Sequence, residues 1–404
     1  MKRIYFFKRA VKKTLTGMLC CVLAITATSE ELSDVVKSMS REERAAQVLL
    51  VSVGGSVEFP AYQYKHFEGI VPGGIIFFKF NLADTPQKMR GFVESCHQGF
   101  YKIAELSKRQ YLPQLIALDN EGGGVYRTKH LTSALPYAEE VPINFTAKEA
   151  EELYYLTAVQ MKELGVSVNL APVCETAQKD KGSILGRRVF SDNCKTTEKY
   201  STAFVKGMQR GGVSCVVKHF PGNGNEDLHS KGSSIKCDYN HFLENYVKPF
   251  KSALNESSIV MVSHVTVNCM DEKPYCFSKK GIDFLRNDLK FTGLIMTDDL
   301  VMKALQKEGK TIADLAISAL EAGCDMLMYS GRDVKLLVNI IAEKARTNPE
   351  FEKRLNNAVL KILEAKQRAG LIDAQGKPKK LAPFDFSKFI NAKNKAGKLV
   401  KSKK

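Results

Sequence analysis

The chain has 404 residues and a formal net charge of +16, with 44% hydrophobic and 26% charged residues, which is ordinary for a globular protein of one large or two smaller domains. The basic excess lies at the two ends, because residues 1–27 carry six Lys or Arg and no acid, and residues 376–404 carry ten Lys and one Asp. The remaining body is nearly neutral, which argues against a nucleic-acid-binding surface, and no nucleic-acid partner is expected.

The N-terminus has the order of a secretory signal. Six basic residues precede an apolar stretch from Leu15 to Ala27, and small and acidic residues follow it. The stretch is too short for an ordinary membrane span. We expect residues 1–27 to be a signal peptide or membrane anchor that exports the protein to the periplasm or cell envelope. Cleavage near Ala27, lipid attachment at Cys20 or Cys21, and an uncleaved anchor that keeps the protein at the membrane are alternatives.

Short apolar runs alternate with longer helical patterns along the chain. The runs occupy residues 49–53, 73–78, 115–118, 166–170, 214–217, 259–262, 294–296 and 326–328, and the helical patterns 86–109, 147–165, 196–211, 311–323 and 334–345. Continuous apolar strands that alternate with helices indicate parallel strands covered by helices. We predict an α/β fold, a single-domain (β/α)8 TIM barrel over residues 28–370. An open, doubly wound sheet is the alternative.

The Lys-rich C-terminal tail, residues 371–404, is expected to be a solvated, disordered end. Attachment to an anionic surface is the alternative interpretation. The Cys residues are scattered without the close pairs of a metal knuckle, so neither a metal centre nor a disulfide framework is predicted, although a single bridge is left open.

Polar residues follow several of the apolar runs. They are Asp119, Lys218, His219, His264 and Asp298. The carboxyl ends of the strands of a barrel share one face, where active sites lie, so these residues should converge. A carboxylate at the position of Asp298 could act as a nucleophile, a metal ligand or a strand-end cap. Asp299 is expected to be structural, since an acid is favourable where a helix begins.

A Gly-flanked loop carries Asp227 and His229 two residues apart. A carboxylate that accepts a hydrogen bond from one imidazole nitrogen makes the other nitrogen a better proton shuttle. A nucleophilic carboxylate opposite a proton donor is the arrangement of a retaining glycosidase, although the usual donor is a second carboxylic acid. A metal site built from these residues is disfavoured by their spacing and by Lys218, so no metal or cofactor is expected.

Several motifs occur together in one order. They are Gly73-Gly74-Ile75-Ile76-Phe77, Asp119-x-Glu121-Gly122-Gly123, Leu170-Ala171-Pro172-Val173, Gly186-Arg187-Arg188-Val189-Phe190, Lys218-His219-Phe220-Pro221-Gly222 with Asp227-x-His229, and Thr297-Asp298-Asp299-Leu300. Over about residues 40–345 the chain therefore resembles glycoside hydrolase family 3, and more closely its single-domain β-N-acetylglucosaminidases. The resemblance implies a TIM barrel, no metal and a retaining double displacement.

The resemblance also implies residue roles. Asp298 corresponds to the nucleophile, His229 to the general acid/base, and Asp227 to the residue that orients it. The residues expected to bind the sugar are Asp119, Arg127, Arg188, Lys218 and His219.

The chain departs from the family pattern at several positions. Asn223 replaces the His of a Gly-His-Gly sequence, the spacer before Asp227 is shorter, Glu175 replaces an Asp, and Gly124 replaces an Arg. We expect a monomeric enzyme that removes terminal β-linked N-acetylglucosamine from peptidoglycan or chitin-type fragments. A β-glucosidase, a β-N-acetylglucosaminide phosphorylase of the same family and a non-catalytic sugar-binding barrel are the alternatives.

Overall fold

The computed structural model describes residues 30–176, 185–224, 232–305 and 310–403. The signal predicted in residues 1–27 and the acid/base pair predicted at Asp227 and His229 lie outside the described residues. Within these residues, no helix is long and apolar enough to cross a membrane.

The strands of the described chain form a barrel and two small accessory sheets. In chain order they are β1 (Leu49–Ser52), β2 (Gly74–Ile76), β3 (Leu115–Leu118), β4 (Asn120–Gly122), β5 (Val125–Tyr126), β6 (Val168–Asn169), β7 (Ser214–Phe220), β8 (Ser234–Ile235), β9 (Ile259–Val262), β10 (Thr266–Val267), β11 (Leu294–Thr297) and β12 (Leu327–Tyr329). Strands β4 and β5 form an antiparallel hairpin, and β8 pairs with β10.

The other eight strands lie side by side in the order β11, β9, β7, β6, β3, β2, β1, β12, and every pair is parallel. A parallel bridge between Met296 and Met326 joins the two ends of this order, and the Thr297 N–H donates to the Met326 carbonyl at 3.0 Å. The sheet thus closes on itself, which confirms the predicted TIM barrel.

Helices surround the barrel. Residues 30–38 are helical, and the α-helices that follow are α1 (Arg41–Gln47), α2 (Tyr62–His66), α3 (Pro86–Leu106), α4 (Val141–Asn144), α5 (Ala147–Glu163), α6 (Cys194–Arg210), α7 (Tyr239–Phe242), α8 (Lys251–Glu256), α9 (Lys279–Asp283), α10 (Ile312–Ala322), α11 (Val334–Thr347), α12 (Pro349–Arg368) and α13 (Phe386–Lys401). Short 3-10 turns occur at Lys79–Asn81, Ala138–Glu140, Gly186–Arg188, Lys248–Phe250, Tyr275–Phe277 and Lys303–Leu305, and π turns at Leu243–Val247 and Phe284–Asp288.

Side-chain size and helix caps explain much of this arrangement. Gly74 lies opposite Leu50 on one neighbouring strand and Leu115 on the other, and a Cβ at Gly74 would come within 2.7 Å of the Leu50 side chain. Helix α5 begins with a capping box, in which the Thr146 hydroxyl accepts from the Glu149 N–H and the Glu149 carboxylate accepts from the Thr146 N–H. Such a cap stabilises a helix start by about 1 kcal/mol.

The C-terminal segment differs from the expected disordered end. Helix α13 packs on α5 through a stripe of buried side chains, Phe389, Ala392 and Ala396. The Lys388 ammonium lies 2.7 Å from Glu163 of α5, and Lys403 lies 2.6 Å from Glu149. The helix forms because its apolar residues recur on one face, and this face contacts the barrel although the segment is rich in Lys.

Candidate active site

A cavity of about 810 Å³ opens at the carboxyl ends of the barrel strands. Six residues predicted to belong to the site line it, namely Asp119, Arg127, Arg188, Lys218, His219 and Asp298. Strand β7 extends three residues further than predicted, to Phe220, so Lys218 and His219 belong to the strand rather than to the following loop. Because a strand fixes the direction of its side chains, the two residues are held in place by the barrel itself.

A buried ionic cluster forms one wall of this cavity. The Lys218 ammonium lies 2.9 Å from Asp119 Oδ1 and 2.7 Å from Glu121 Oε1. The Arg188 guanidinium donates through Nε and Nη2 to the two oxygens of Glu121, both at 2.8 Å. Such bidentate, charge-assisted hydrogen bonds are short and directional. The cluster therefore holds Asp119 and Arg188 in a fixed position at the cavity.

Glu121 and Lys218 keep their charges in this cluster. Burial disfavours the Glu121 carboxylate, but Lys218 and Arg188 outweigh it and lower the pKa of Glu121 to about 2. Burial likewise disfavours the Lys218 ammonium, yet Asp119 and Glu121 raise its pKa above the ordinary value. Glu121, which the sequence shows only as part of a motif, is thus the anion that joins two predicted sugar-binding cations.

The β4–β5 hairpin brings Arg127 back beside Asp119. The Arg127 N–H donates to the Asp119 carbonyl at 3.0 Å, and the guanidinium Nη2 lies 3.4 Å from Asp119 Oδ2. Among the described residues, Arg127 Nε has no hydrogen-bond partner although it is buried. The hairpin thus supplies a donor that a bound molecule can use.

His219 is oriented by two residues that the sequence showed as departures from the family pattern. Its Nδ1–H donates to Glu175 Oε1 at 2.8 Å, and Glu175 Oε2 accepts from the Asn223 N–H at 2.7 Å. The Asn223 side-chain amide donates to Glu175 Oε1 at 3.1 Å. The two departures are therefore in direct contact, and Asn223 also lines the cavity.

Asp298 directly follows β11 and faces the cavity. Its Oδ1 accepts from the Asp299 N–H at 2.8 Å. Burial alone would raise the pKa of Asp298, but the nearby imidazoles of His219 and His264 and the ammonium of Lys218 hold it below the ordinary value of 3.8. Asp298 is thus an ionised carboxylate at neutral pH, as a nucleophile must be.

His264 does not line the cavity, in contrast to the predicted convergence. It is buried, and its Nε2–H donates to the Asp299 carbonyl at 3.1 Å. The other ring nitrogen then accepts from the Cys276 thiol, 3.2 Å away. Burial lowers the pKa of His264 despite the opposing charge of Asp298, so at neutral pH the ring is uncharged and fixes the backbone next to Asp298.

Asp299 has the structural contacts that were expected, although it also reaches the cavity wall. Its carboxylate accepts from the backbone N–H groups of Val301, at 3.3 Å, and Ser330, at 3.2 Å. Burial raises the pKa of Asp299. The residue therefore links the chain after β11 to the chain after β12.

Comparison with known proteins agrees with this geometry. Residues 42–365 match the glycosyl hydrolase family 3 N-terminal domain. A beta-hexosaminidase of Idiomarina loihiensis is 28% identical over 319 residues, which cover 77% of this chain and 92% of that protein. A beta-hexosaminidase of Photobacterium profundum is 33% identical over 260 residues, which cover 63% and 74%.

The fold has counterparts among solved structures. A glycoside hydrolase family 3 β-N-acetylglucosaminidase from Paenibacillus sp. superposes with a TM-score of 0.78 at 24% identity, over 90% of this chain and 68% of that one. Because the family match spans most of the chain and includes every cavity residue described above, the chain belongs to glycosyl hydrolase family 3 and is a glycosidase with a TIM-barrel fold.

Proposed function

We propose that the protein is a retaining β-N-acetylglucosaminidase that removes terminal β-linked N-acetylglucosamine from peptidoglycan or chitin-type fragments. The observation that carries the proposal is an ionised Asp298 that faces the same cavity as the buried ionic cluster. This cluster consists of Asp119, Glu121, Lys218 and Arg188. The relatives from Idiomarina loihiensis and Photobacterium profundum are beta-hexosaminidases, which supports the choice of an N-acetylated sugar.

The charged wall suits the hydroxyl groups of a sugar. A hydroxyl both donates and accepts, so Asp119 can accept from it while Lys218 and Arg188 donate to it. Arg127 Nε and Asn223 Oδ1 are buried without a partner in the described part of the chain, and they offer a further donor and acceptor. Since the cluster is already assembled, little side-chain freedom is lost when the sugar binds.

The proposed reaction is a double displacement. The Asp298 carboxylate attacks the anomeric carbon while the leaving-group oxygen takes a proton from His229, which Asp227 orients. A water molecule, deprotonated by His229, then attacks the anomeric carbon and releases Asp298. Each displacement inverts the anomeric centre, so the product retains the β configuration. The roles of His229 and Asp227 derive from the family resemblance.

Chromogenic substrates test the proposal. We would measure nitrophenol release from the β-N-acetylglucosaminide and the β-glucoside, with and without phosphate, for wild type and Asp298→Ala. Asp283→Ala is a matched control, because Asp283 is a partly exposed residue outside the cavity that pairs with Lys279. We expect release from the N-acetylated substrate alone, a loss of at least about 10³-fold in Asp298→Ala, and no loss in the control.

Each alternative predicts a different result in the same assay. Release from the glucoside alone would indicate a β-glucosidase. A phosphate-dependent rate with a sugar 1-phosphate product would indicate a phosphorylase. A folded protein that binds N-acetylglucosamine but releases no nitrophenol from either substrate would indicate a non-catalytic barrel.

We also propose that the protein is exported, because residues 1–27 have the order of a secretory signal. N-terminal sequencing of the protein from a cell-envelope fraction should show either a new terminus near Ala27 or an intact anchor retained at the membrane. A full-length chain found only in the cytoplasmic fraction would contradict export.

A further inference from the structure

Two partly exposed cysteines follow the two strands of the accessory sheet that β8 and β10 form. Strand β8 pairs in parallel with β10, with Ile235 opposite Val267, and the Asn268 N–H donates to the Ile235 carbonyl at 3.1 Å. Cys237 comes two positions after Ile235, and Cys269 comes two positions after Val267. The side chain of Cys269 is close enough to that of Cys237 to raise the pKa of the Cys237 thiol. The two sulfur atoms are therefore neighbours in the folded protein.

The spacing of strands β8 and β10 is compatible with a covalent link just beyond their ends. Neighbouring strands of a sheet lie about 4.8 Å apart, and disulfides form between residues whose Cα atoms are about 4.4–6.8 Å apart. Both residues are also partly exposed, so an oxidant in solution can reach them. Five other cysteines of the described chain, Cys96, Cys174, Cys215, Cys276 and Cys324, are buried. Accessibility and proximity thus distinguish the pair from these five.

We propose that Cys237 and Cys269 form a reversible disulfide bond. The bridge would join the chain after β8 to the chain after β10. Cys237 comes eight residues after His229 in the sequence, so the bridge would anchor the chain shortly after the predicted acid/base pair. The modification requires a disulfide oxidant, for which oxidised glutathione is a suitable probe.

The oxidation is a pair of thiol–disulfide exchanges. One protein thiolate attacks a sulfur of oxidised glutathione, which forms a mixed disulfide and expels one glutathione thiolate. The second protein thiolate then attacks the protein sulfur of the mixed disulfide and expels the second glutathione. Two protein thiols thus lose two electrons and two protons in total, and one glutathione disulfide is reduced to two glutathione thiols.

The surroundings of the pair predict how the reaction behaves. Burial, and then the neighbouring Cys269 thiol, raise the pKa of Cys237 to about 11. Thiolate is the reacting form, so bridge formation should accelerate as the pH rises from 7 to 9. A bridge between residues 237 and 269 also restricts the unfolded chain, and we expect the oxidised protein to melt about 4–8 °C higher than the reduced one.

The experiment equilibrates the full chain with reduced or oxidised glutathione, blocks the remaining thiols by alkylation and maps the peptides by mass spectrometry under non-reducing conditions. We expect one cross-linked peptide pair that contains Cys237 and Cys269, and its loss in Cys237→Ser and in Cys269→Ser. Cys194→Ser is the matched control, because Cys194 is also partly exposed but lies beside Thr176 and Lys248. This variant should still form the bridge.

Two results would overturn the proposal. One is alkylation of both cysteines after equilibration with oxidised glutathione, and the other is a separate glutathione on each cysteine without a link between them. The wild-type protein alone gives either answer, so the test does not depend on how well the serine variants fold. It also does not depend on glycosidase activity, because the readout is the covalent state of the chain.

Discussion

Replacement of Glu121 by Gln should remove the negative charge that joins Lys218 to Arg188. Glu121 is 5% exposed and accepts hydrogen bonds from both cations, at 2.7 Å and 2.8 Å. The Gln side chain has nearly the same shape, so the substitution tests the charge rather than the packing. The two cations would remain close together, with Asp119 beside Lys218 and with Glu175 and Asp119 acting on Arg188.

The pKa of Glu121 gives the magnitude of the effect. It falls from an ordinary value of 4.5 to about 2, and each pKa unit corresponds to about 1.4 kcal/mol. The ionised carboxylate therefore stabilises the folded state by on the order of 3 kcal/mol. Because the pKa is lower in the folded state, this stabilisation is complete above pH 4.5 and is lost as the pH falls toward 2.

Urea unfolding of wild type and Glu121→Gln between pH 3 and pH 8 measures this difference. We expect the variant to be less stable by about 3 kcal/mol at pH 7, and the difference to shrink at low pH. Glu139→Gln is a matched control, since Glu139 is a partly exposed residue paired with Arg187, and it should unfold like wild type. A Glu121→Gln variant as stable as wild type at pH 7, or a difference that does not change with pH, would refute the reasoning.

Three other regions of the molecule give measurable outcomes. Nearby imidazoles hold the pKa of Asp298 below 3.8. In the pH profile of kcat/KM, the acid limb should therefore have its midpoint below pH 3.8, measured where the protein stays folded. An acid limb above pH 5 that is assigned to Asp298 would contradict an ionised nucleophile. Phe389→Ala should destabilise the protein by about 3–5 kcal/mol in urea unfolding because the ring is fully buried. Phe386 lies on the same helix but is 46% exposed, so Phe386→Ala should have a much smaller effect. Equal effects of the two substitutions would contradict the packing of α13. Burial lowers the pKa of Lys366 to about 7, so between pH 7 and 10.5 the unfolded chain holds a proton that the folded chain has lost. The unfolding free energy of wild type should therefore rise relative to that of Lys366→Met across this pH range. Parallel curves of unfolding free energy against pH for the two proteins would contradict this prediction.

The barrel could be predicted because its strands are continuous apolar runs. Runs such as Leu115–Leu118 and Ile259–Val262 are buried on both faces, and this requirement is visible in the sequence itself. The positions of Asp119 and Asp298 could be predicted for the same reason, since a polar residue directly after such a run lies at the carboxyl end of the barrel.

The partners of these residues could not be predicted in the same way. Glu121 contacts Lys218 and Arg188, which are far from it in the sequence, and only the closed barrel brings them together. The contact between Glu175 and Asn223 has the same origin. A long-range ion pair leaves no periodic pattern, so local sequence analysis shows the residues without showing what they contact.

Helix α13 is hard to predict from the sequence for a different reason. Its Lys content favoured a disordered end, and the composition obscured the spacing of Phe389, Ala392 and Ala396. These three residues lie on one face at intervals of three and four, which is the signal of an amphipathic helix. Its buried face is small, and it is stabilised by contacts with α5 that only the tertiary structure supplies.

The most direct test of the proposed mechanism is the detection of a sugar covalently bound to Asp298. The protein would be incubated with an activated, fluorinated N-acetylglucosaminyl donor, whose electron-poor anomeric centre slows breakdown of the intermediate, and then digested and mapped by mass spectrometry. The proposed mechanism predicts one sugar on the peptide that contains Asp298, and none in Asp298→Ala. A sugar on another residue, or turnover of the donor by Asp298→Ala at the wild-type rate, would contradict it.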